Sequence, residues 1–564
     1  MNAGERGSNR LSDTPGATTK APNPLANRQV LLTLGGVMLA IFLGSLDQTI
    51  VGTAMPRIIA DLQGFDKYTW VTTAYLVTST TVVPIVGRLS DMYGRKWLYI
   101  AGILVFLVGS VLSGLSQNMT QLIIFRGLQG IGGGTMIANA FVTIGDLFPP
   151  SERGKYQGLV AATFGLSSVI GPFLGGFVTD NLSWHWIFFI NIPLGIPIIA
   201  VFIVFFPHVV PAQSSHKIDY LGVVALILAV VPVLVGLSWG GVEYPWGSAQ
   251  VIGALVFGSA MTALFIFIET KAPEPIIPLS IFRDRIVGIS LLAIFLTGFG
   301  MFGAIIFVPL FFQGVLGASA TSSGSLVIPM SLGIVAGAAI SGQLLSRFGG
   351  RYKLQGLVGL AIMALGLFFL SRVSPDTSYG MAVFDIVIVG IGLGTTFPVF
   401  TIAVQNAVPY KFMGVATSST QFIRSIGGTL GLAILGSIMT NRFAAHLSAD
   451  MPQAVKNALP PGQIEGIAKN PELLMSPQAQ AQLQSAFSQA GPQGQQLLDQ
   501  LLSALRLSLS SAIGEIFLIA LVVIVLAWVA TLFLKEIKLQ TKWEKGPGHT
   551  QPTASESSTK ATGK

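Results

Sequence analysis

Fourteen runs of apolar residues, each long enough to cross a bilayer as a helix, dominate this sequence. Backbone groups in hydrocarbon must bond within the chain, so only helices or closed barrels span a membrane, and no period-two alternation indicates a barrel. The chain is 51% apolar and 10% charged, with a mean hydropathy of +0.70, which excludes a soluble or disordered protein. The sequence predicts an all-α polytopic membrane protein with 14 transmembrane helices. The predicted spans are 30–53, 70–88, 98–116, 120–147, 155–180, 186–208, 219–238, 249–268, 286–312, 321–345, 352–372, 380–407, 412–440 and 512–535.

The basic residues predict the orientation of these spans. An even number of spans puts both termini on one side, and most of the 32 Lys and Arg residues lie in the tails and loops of that side. The positive-inside rule therefore predicts cytoplasmic termini in a plasma or inner membrane. The net charge of +8 follows from this topology and from attraction to anionic lipid, and no basic stripe with stacking aromatics indicates nucleic-acid binding.

Short repeats indicate two related halves. The segment Gly87–Lys96 follows the second span, and the similar segment Gly342–Arg351 follows the tenth. Pro150, Gly154, Gly171 and Gly175 are echoed by Pro409, Gly414, Gly427 and Gly431. A chance match of such degenerate patterns and a true duplication are the two explanations. Parallel repeats around an axis normal to the membrane form a transporter architecture, with the substrate site near the midplane between the halves.

The repeats and the spans together predict the domain organisation. It comprises a disordered cytoplasmic tail (1–29), an N-terminal six-helix bundle (30–208), two linking helices (219–268), a C-terminal six-helix bundle (286–535) that includes a large extracellular loop (441–511), and a cytoplasmic tail (536–564). Within the loop, 478–489 and 493–509 have apolar residues at helical spacing. This pattern predicts either an amphipathic cap at the membrane surface or a surface that docks a partner.

Asp47 is a carboxylate inside the first apolar run. An ionised side chain at the centre of a membrane helix costs about 2.5–3.5 kcal/mol on insertion scales, so such a residue is a functional candidate. Gly36, Ala40 and Gly44 share its helix face, and small residues favour helix packing, so Asp47 is expected to face the bundle or a wet cavity. Burial disfavours the ionised form and a nearby cation favours it, which suits a group that takes up and releases protons. A permanently hydrogen-bonded structural carboxylate is the alternative.

Arg126, in the fourth apolar run, is the candidate counter-charge for Asp47. Arginine stays protonated, so it tunes an acid but does not carry the transported proton. The alternative is an arginine that snorkels to the membrane surface or binds backbone carbonyls.

A charged turn follows the second span. It contains Asp91, Arg95 and Lys96, with Gly87 suited to close helix approach and Gly94 to a positive φ. Asp146 and Arg153, near the ends of the fourth and fifth spans, are expected to complete a charge cluster that latches the outward-facing state. Positive-inside anchoring is the alternative, and it explains Lys96 better than it explains Asp91.

Two further groups complete the candidate sites. Gly171 and Pro172 permit a kink in the fifth span, and Gly175 and Gly176 are expected to let a neighbouring backbone approach. This segment is therefore predicted to act as a hinge or as a tight seal, and a kink that serves only helix packing is the alternative. In the thirteenth span, Gln421 and Arg424 share a face that lines a substrate path or packs against helices. Arg424 suits an anionic group or an ion pair with Asp385. Gln129 is assigned to the same path.

Five motifs resemble those of the major facilitator superfamily, and specifically of its fourteen-span drug:proton antiporters of the EmrB/QacA type. The motifs are Gly87-x-Leu-x-Asp91-x-x-Gly94-Arg95-Lys96, Gly171-Pro172-x-x-Gly175-Gly176, the first-helix segment 46–56, the fourth-helix segment 126–133 and the sixth-helix segment 184–195. Gly52 and Thr53 stand where a common family pattern has Asn-Val. The resemblance implies a proton-coupling role for Asp47 and Arg126, and an antiporter role for the fifth-helix motif.

The predicted function is proton-coupled export, by alternating access, of hydrophobic drugs or toxic compounds that are cationic or zwitterionic. The sequence contains no phosphate-binding G-x-x-x-x-G-K-[ST] motif and no soluble domain for ATP, so an ion gradient is the expected energy source. No cysteine and no histidine cluster supports an enzyme, a metal site or a cofactor. The expected partners are a small-molecule substrate, protons and the bilayer; protein partners stay unassigned. A dedicated exporter of one metabolite or lipid is the alternative function.

Overall fold

A computed structural model describes residues 24–62, 67–207, 217–241, 243–317, 320–347, 350–458, 484–485, 487 and 491–539. Apart from one isolated bridge between Gly240 and Tyr244, the regular structure in these ranges is helical. The helices are α1 (Pro24–Leu62), α2 (Tyr68–Tyr93), α3 (Arg95–Gly114), α4 (Met119–Leu147), α5 (Pro150–Asn181), α6 (Trp186–Phe189), α7 (Asn191–Phe205), α8 (Tyr220–Trp239), α9 (Ala249–Lys271), α10 (Arg285–Gly314), α11 (Ala320–Arg347), α12 (Tyr352–Leu370), α13 (Tyr379–Ala407), α14 (Met413–Asp450), α15 (Gln453–Ala458) and α16 (Gly491–Leu532), with 3₁₀ turns at Leu279–Arg283 and Tyr410–Phe412.

Each of the fourteen predicted spans coincides with helix in the described residues, which confirms the predicted fold class. Thirteen helical segments are long and apolar enough to cross a membrane, counting α6 and α7 as one. The fourteenth is α4, which has 29 residues but is less hydropathic because it carries Arg126, Gln129 and Asn139. Those three polar side chains are buried inside the protein and do not face lipid.

The sixth span is broken, which the sequence analysis did not anticipate. Helix α6 ends at Phe189 and α7 begins at Asn191. Pro193 explains the break, because it has no N–H to donate to the carbonyl of Phe189 and its ring would clash there. Beside the break, the carbonyl of Phe188 accepts a hydrogen bond from Ser110 Oγ (2.9 Å). It also places Asn191 at the start of a new helix inside the membrane.

The predicted 441–511 loop begins and ends in helix. Helix α14 continues to Asp450, and α16 starts at Gly491. Residues 493–509 are therefore the first turns of α16, where Leu501 and Leu505 are buried in the C-terminal core. This packing differs from the predicted amphipathic cap at the membrane surface. Most of the other predicted segment, 478–489, lies outside the described residues, as do both predicted tails except their innermost residues.

The two halves pack their helices in the same order. In the N-terminal half α1 packs on α5, and α2 and α3 both pack on α4; in the C-terminal half α10 packs on α14, and α11 and α12 both pack on α13. The halves meet along two seams, one between α2 and α14 and the other between α5 and α11. Helices α8 and α9 pair with each other, and α8 lies against both α2 and α14. This equivalence supports duplication over a chance match of short motifs.

Glycines from the repeated motifs make the closest approach at both seams. A side-chain carbon at Gly87 would meet Ser418 and lie 2.9 Å from the carbonyl oxygen of Gly414. At the other seam, a side-chain carbon at Gly154 would lie 2.7 Å from the carbonyl oxygen of Gly342. Backbone therefore meets backbone in both places, and larger residues would hold the halves apart.

We expect Gly342→Leu to separate the α5–α11 seam. The chain has no cysteine, so spin labels on Lys155→Cys and Gln343→Cys, both exposed positions beside this contact, would report the distance between the helices. The variant should lengthen that distance, because the added side chain occupies the place of Gly154 backbone. Gly176→Leu is the matched control, since no atom lies within 4 Å of a side-chain carbon there. An unchanged distance in Gly342→Leu would contradict the described seam.

Candidate functional site

Asp47 lies sealed inside the N-terminal half, with both carboxylate oxygens bonded. It has no exposed surface. Its Oδ2 accepts a hydrogen bond from Arg126 Nη1 (2.5 Å), and its Oδ1 accepts from Gln129 Nε2 (2.7 Å) and Asn191 Nδ2 (3.0 Å). Helices α1, α4 and α7 thus meet at one carboxylate. Gly36, Ala40 and Gly44 are buried on the same face of α1.

Arg126 is as deeply buried as Asp47 and is held on three sides. It is 2% exposed, and its Nη1 also donates to Gln129 Oε1 (2.8 Å). The guanidinium carbon lies 4.3 Å from the centre of the Tyr75 ring, within the range of a cation–π contact. Its Nε is buried without a hydrogen-bond partner, as is Asn191 Oδ1. One donor of Arg126 and one acceptor of Asn191 therefore stay unused beside the charged pair.

Ser110 of α3 ties the network together. Its Oγ accepts from Asn191 Nδ2 (2.8 Å) and Gln129 Nε2 (3.2 Å), and it donates to the carbonyl of Phe188. Close helix approach makes these bonds reachable, because a side-chain carbon at Gly109 would lie 2.6 Å from Gln129 backbone and one at Gly130 would lie 2.5 Å from Tyr75 backbone. Gln129, which the sequence assigns to a substrate path, is fully buried in this network.

Sequence reasoning missed three contributors to this site: Tyr75, Ser110 and Asn191. Asn191 stood within a recognised motif, but its role depends on the helix break before it. Ser110 is a small polar residue in an apolar run and gave no distinct signal. Each is buried and touches Arg126 or hydrogen-bonds within the Asp47 network.

The fifth-helix motif packs against another face of α1. A side-chain carbon at Gly171 would overlap Thr49, and one at Gly175 would lie 2.9 Å from the carbonyl oxygen of Ile50. The expectation of close approach is wrong for Gly176, which faces open space. Helix α5 stays continuous through Pro172. The motif therefore fixes α1, and with it Asp47, against α5.

The charged turn joins the two halves through Asp91. Its Oδ1 accepts from the backbone N–H of Gly414 (2.9 Å) and its Oδ2 from that of Val415 (3.0 Å), at the N-terminus of α14. Because the N-terminus of a helix carries partial positive charge, a carboxylate is favoured there. Gly94 has a φ of 87°, which a glycine adopts without strain.

Arg95 connects Asp91 to Asp146. It donates to Asp91 Oδ1 (2.7 Å) and Asp146 Oδ2 (2.8 Å), and Asp146 Oδ1 accepts from Tyr410 Oη (3.1 Å) of the other half. Two acidic side chains of the N-terminal half thus reach across the α2–α14 seam. Tyr410 was not anticipated by the sequence analysis.

Lys96 and Arg153 bind backbone carbonyls of the N-terminal half. Lys96 Nζ donates to the carbonyl of Ile203 (2.7 Å). Arg153 donates to the carbonyls of Gly145 (2.7 Å) and Phe148 (3.0 Å), at the end of α4. These bonds fix the ends of α7 and α4. Arg153 also interacts electrostatically with Asp146, its predicted neighbour in the charge cluster.

The C-terminal half buries Asp385 and Arg424 without pairing them. Asp385 is 2% exposed, and its Oδ1 has no hydrogen-bond partner among the described residues. Arg424 Nη1 donates to Gln421 Oε1 (2.6 Å). No ion pair joins the two residues, although both lie in the described part of the chain.

We expect Asp47→Leu to destabilise the protein by about 3–5 kcal/mol, because it leaves a buried guanidinium without its counter-charge. Adding Arg126→Met should recover much of that loss, since the remaining charge is then removed. Thermal unfolding of the purified single and double variants would measure the coupling, with Asp180→Leu, an exposed site, as the control. Additive effects of the two substitutions would argue against the pair.

Comparison with known proteins agrees with this architecture. The model of the Major Facilitator Superfamily matches residues 37–432, more than half of the chain. The multidrug transporter protein MdtP of Bacillus subtilis is 41% identical over 528 residues, covering 92% of this chain and 95% of that protein. Multidrug resistance protein 3 of the same organism is 38% identical over 509 residues, covering 90% and 96%.

Two solved structures share the fold at low sequence identity. The human organic anion transporter MFSD10 (TETRAN) superposes with a TM-score of 0.56 at 12% identity, covering 89% of this chain and all of that one. The proton:xylose symporter XylE superposes with a TM-score of 0.52, also at 12% identity, covering 88% and 95%. At this identity the likeness shows the fold alone. With the family match and the two bacterial relatives, it establishes that this chain belongs to the Major Facilitator Superfamily.

Proposed function

We infer that this protein exports hydrophobic drugs from the cell in exchange for protons, by alternating access between its two halves. The observation that carries this proposal is the sealed ion pair between Asp47 and Arg126. A buried pair of this kind contributes little to stability compared with apolar packing, so its presence in the membrane suits a functional role. Relatives at 38–41% identity are named as multidrug transporters, which supports drugs as the substrates.

Asp47 is proposed to be the proton site. Its protonation would remove the charge that faces Arg126, so the guanidinium would need a new partner and the bonds from Gln129 and Asn191 would weaken. Because these donors come from α4 and α7, a change at one carboxylate alters the contact among three helices. Proton uptake would thereby favour a different packing of the N-terminal half, and release would restore the paired state.

Asp91 is proposed to be the latch that couples this change to access. It accepts backbone N–H bonds from α14 on the side that the basic residues assign to the cytoplasm. With these bonds formed, the α2–α14 seam is closed on that side. Opening toward the cytoplasm would break them, while Arg95 would keep its bonds within the N-terminal half.

The energy of one proton is sufficient for useful export. A proton that moves through 100 mV yields about 2.3 kcal/mol, and a tenfold gradient costs about 1.36 kcal/mol at 25 °C. Exchange of one proton for one uncharged substrate molecule therefore sustains roughly a fifty-fold concentration ratio. A single titrating carboxylate meets this requirement.

We expect Asp47→Asn to abolish export driven by a pH gradient, because the amide cannot take up and release a proton. The measurement is uptake of a panel of hydrophobic fluorescent dyes of either charge into everted membrane vesicles, with an imposed pH gradient. Asp180→Asn, an exposed carboxylate at the end of α5, is the matched control and should transport normally. Gradient-driven transport by Asp47→Asn at the wild-type rate would refute the proton-site assignment.

We expect Asp91→Ala to open the α2–α14 seam and to slow export at least tenfold. Spin labels on Tyr93→Cys and Lys411→Cys, which are exposed on either side of this seam, should move apart in the variant. Glu152→Ala removes an exposed acid near the same end of the protein and should leave both distance and rate unchanged. If Asp91→Ala keeps the wild-type distance distribution, Asp91 is not a latch.

A further inference from the structure

Arg424 is a buried arginine of the C-terminal half, and no carboxylate among the described residues pairs with it. It is 8% exposed, and Nη1 donates to Gln421 Oε1 at 2.6 Å. Its guanidinium carbon lies 3.9 Å from the centre of the Phe397 ring. Among the described residues no acidic side chain lies close enough to offset its charge, and Asp385, the partner expected from sequence, is not paired with it.

Comparison with Arg126 shows what Arg424 lacks. Both are buried cations, because arginine stays protonated in proteins. Each therefore needs an interaction that offsets the free-energy cost of removing its charge from water. Arg126 obtains this from Asp47, inside the protein. Arg424 has only an amide oxygen and a ring face. Its Nε and Nη2 make no hydrogen bond to the described residues, yet neither is sealed from solvent.

The position of Arg424 suits substrate binding. At about 1.5 Å per residue it lies about 16 Å along α14 from Met413, close to half of the roughly 30 Å hydrocarbon thickness. Substrate sites of transporters with paired repeats lie near that midplane. The backbone of Arg424 also touches α10, where a side-chain carbon at Gly298 would lie 2.5 Å from its carbonyl oxygen.

One aromatic ring contacts the guanidinium, and a second lies one helical turn away. Phe397 of α13 lies against the guanidinium, and Phe302 of α10 packs against Gly428, the next turn of the same face of α14. Both rings are half-buried, so each keeps an accessible part. Accessible apolar rings next to unused, charged N–H donors form a site for an amphipathic anion.

We propose that Arg424 and Gln421 bind the anionic group of a hydrophobic substrate, a carboxylate or a sulfonate, and that Phe397 and Phe302 contact its apolar body. This inference rests on the proposed function as an exporter and names its substrate class. Arg424 supplies a fork of donors that matches a planar carboxylate, and Gln421 Nε2 adds a neutral donor. This anionic substrate class differs from the cationic drugs expected from the sequence. Zwitterions that carry a carboxylate fit both the expected class and the proposed one.

Equilibrium binding to the purified full-length protein tests this assignment. The two probes share one skeleton and differ in charge: tritiated 2-naphthoate and tritiated 2-naphthylmethylammonium, measured by scintillation proximity. Wild type should bind naphthoate saturably and more tightly than the ammonium probe. Arg424→Gln should weaken naphthoate binding about tenfold or more, since a hydrogen-bonded charge is lost, and leave the ammonium probe unaffected or improved.

Two further variants make the result decisive. Arg442→Gln removes an arginine that is 59% exposed and should bind naphthoate as wild type does. Arg424→Lys keeps the charge but loses the fork, so it should fall between wild type and Arg424→Gln, and it carries the test if Arg424→Gln does not fold. Naphthoate binding that is absent from wild type, weaker than ammonium binding, or unchanged in Arg424→Gln and Arg424→Lys would overturn the proposal.

No gradient is applied in this experiment, so it does not depend on proton coupling. Retained gradient-driven transport in Asp47→Asn would remove the antiporter proposal and leave the binding result standing. Absence of naphthoate selectivity in the wild-type protein, together with normal proton dependence of transport, would remove the Arg424 assignment alone.

Discussion

A carboxylate sealed in hydrocarbon is the constraint around which the N-terminal half is arranged. Asp47 is bonded by a guanidinium and two amide donors, and these come from α4 and α7. The close α3–α4 and α2–α4 contacts, the break before Asn191 and the Ser110 bridge all serve to bring those donors within reach. The glycines that permit these contacts, such as Gly109 and Gly130, therefore belong to the site even though they carry no polar group.

Both seams bring glycine backbones into contact, but the two seams differ in their charged contacts. Gly87 meets Gly414 at one seam, and their repeat counterparts Gly342 and Gly154 meet at the other. Asp91, however, has Ser346 as its counterpart in the second repeat, and within the described ranges Ser346 bonds to the carbonyl of Gly342 in its own helix and not across the seam. Carboxylate capping of a helix across a seam is thus a property of the α2–α14 seam. The α2–α14 seam thus has a charged contact and the α5–α11 seam an apolar glycine contact. This difference suits two halves that separate at the α2–α14 seam and slide at the α5–α11 seam.

The sequence was sufficient for the number of helices, the fold class and the burial of Asp47, because these depend on hydropathy and on helical period. The sequence did not predict the contacts between helices that are distant along the chain. Gln129 was assigned to a substrate path, yet it lies in the Asp47 network because α3 approaches α4 so closely at Gly109. Gly176 was grouped with Gly175, although it points away from α1. Arg153 does interact with Asp146, but the hydrogen bonds that it donates to the carbonyls at the end of α4 depend on the path of the turn and were not expected.

The separation of Asp47 from Arg424 bears on how a proton and a substrate would be coupled. A cationic drug and a proton can compete for one carboxylate, which links them directly. Here the proposed proton site lies in the N-terminal half and the proposed substrate group in the C-terminal half, and their charges are opposite. A proton at Asp47 cannot displace an anion at Arg424 by competition, so coupling has to pass through the seams that join the halves. Exchange of one proton for one monoanion would also move two positive charges inward per cycle, so the membrane potential would drive export together with the pH gradient. The latch at Asp91 then gains a specific purpose, because it is the point where bonding within the N-terminal half meets the helix that carries Arg424.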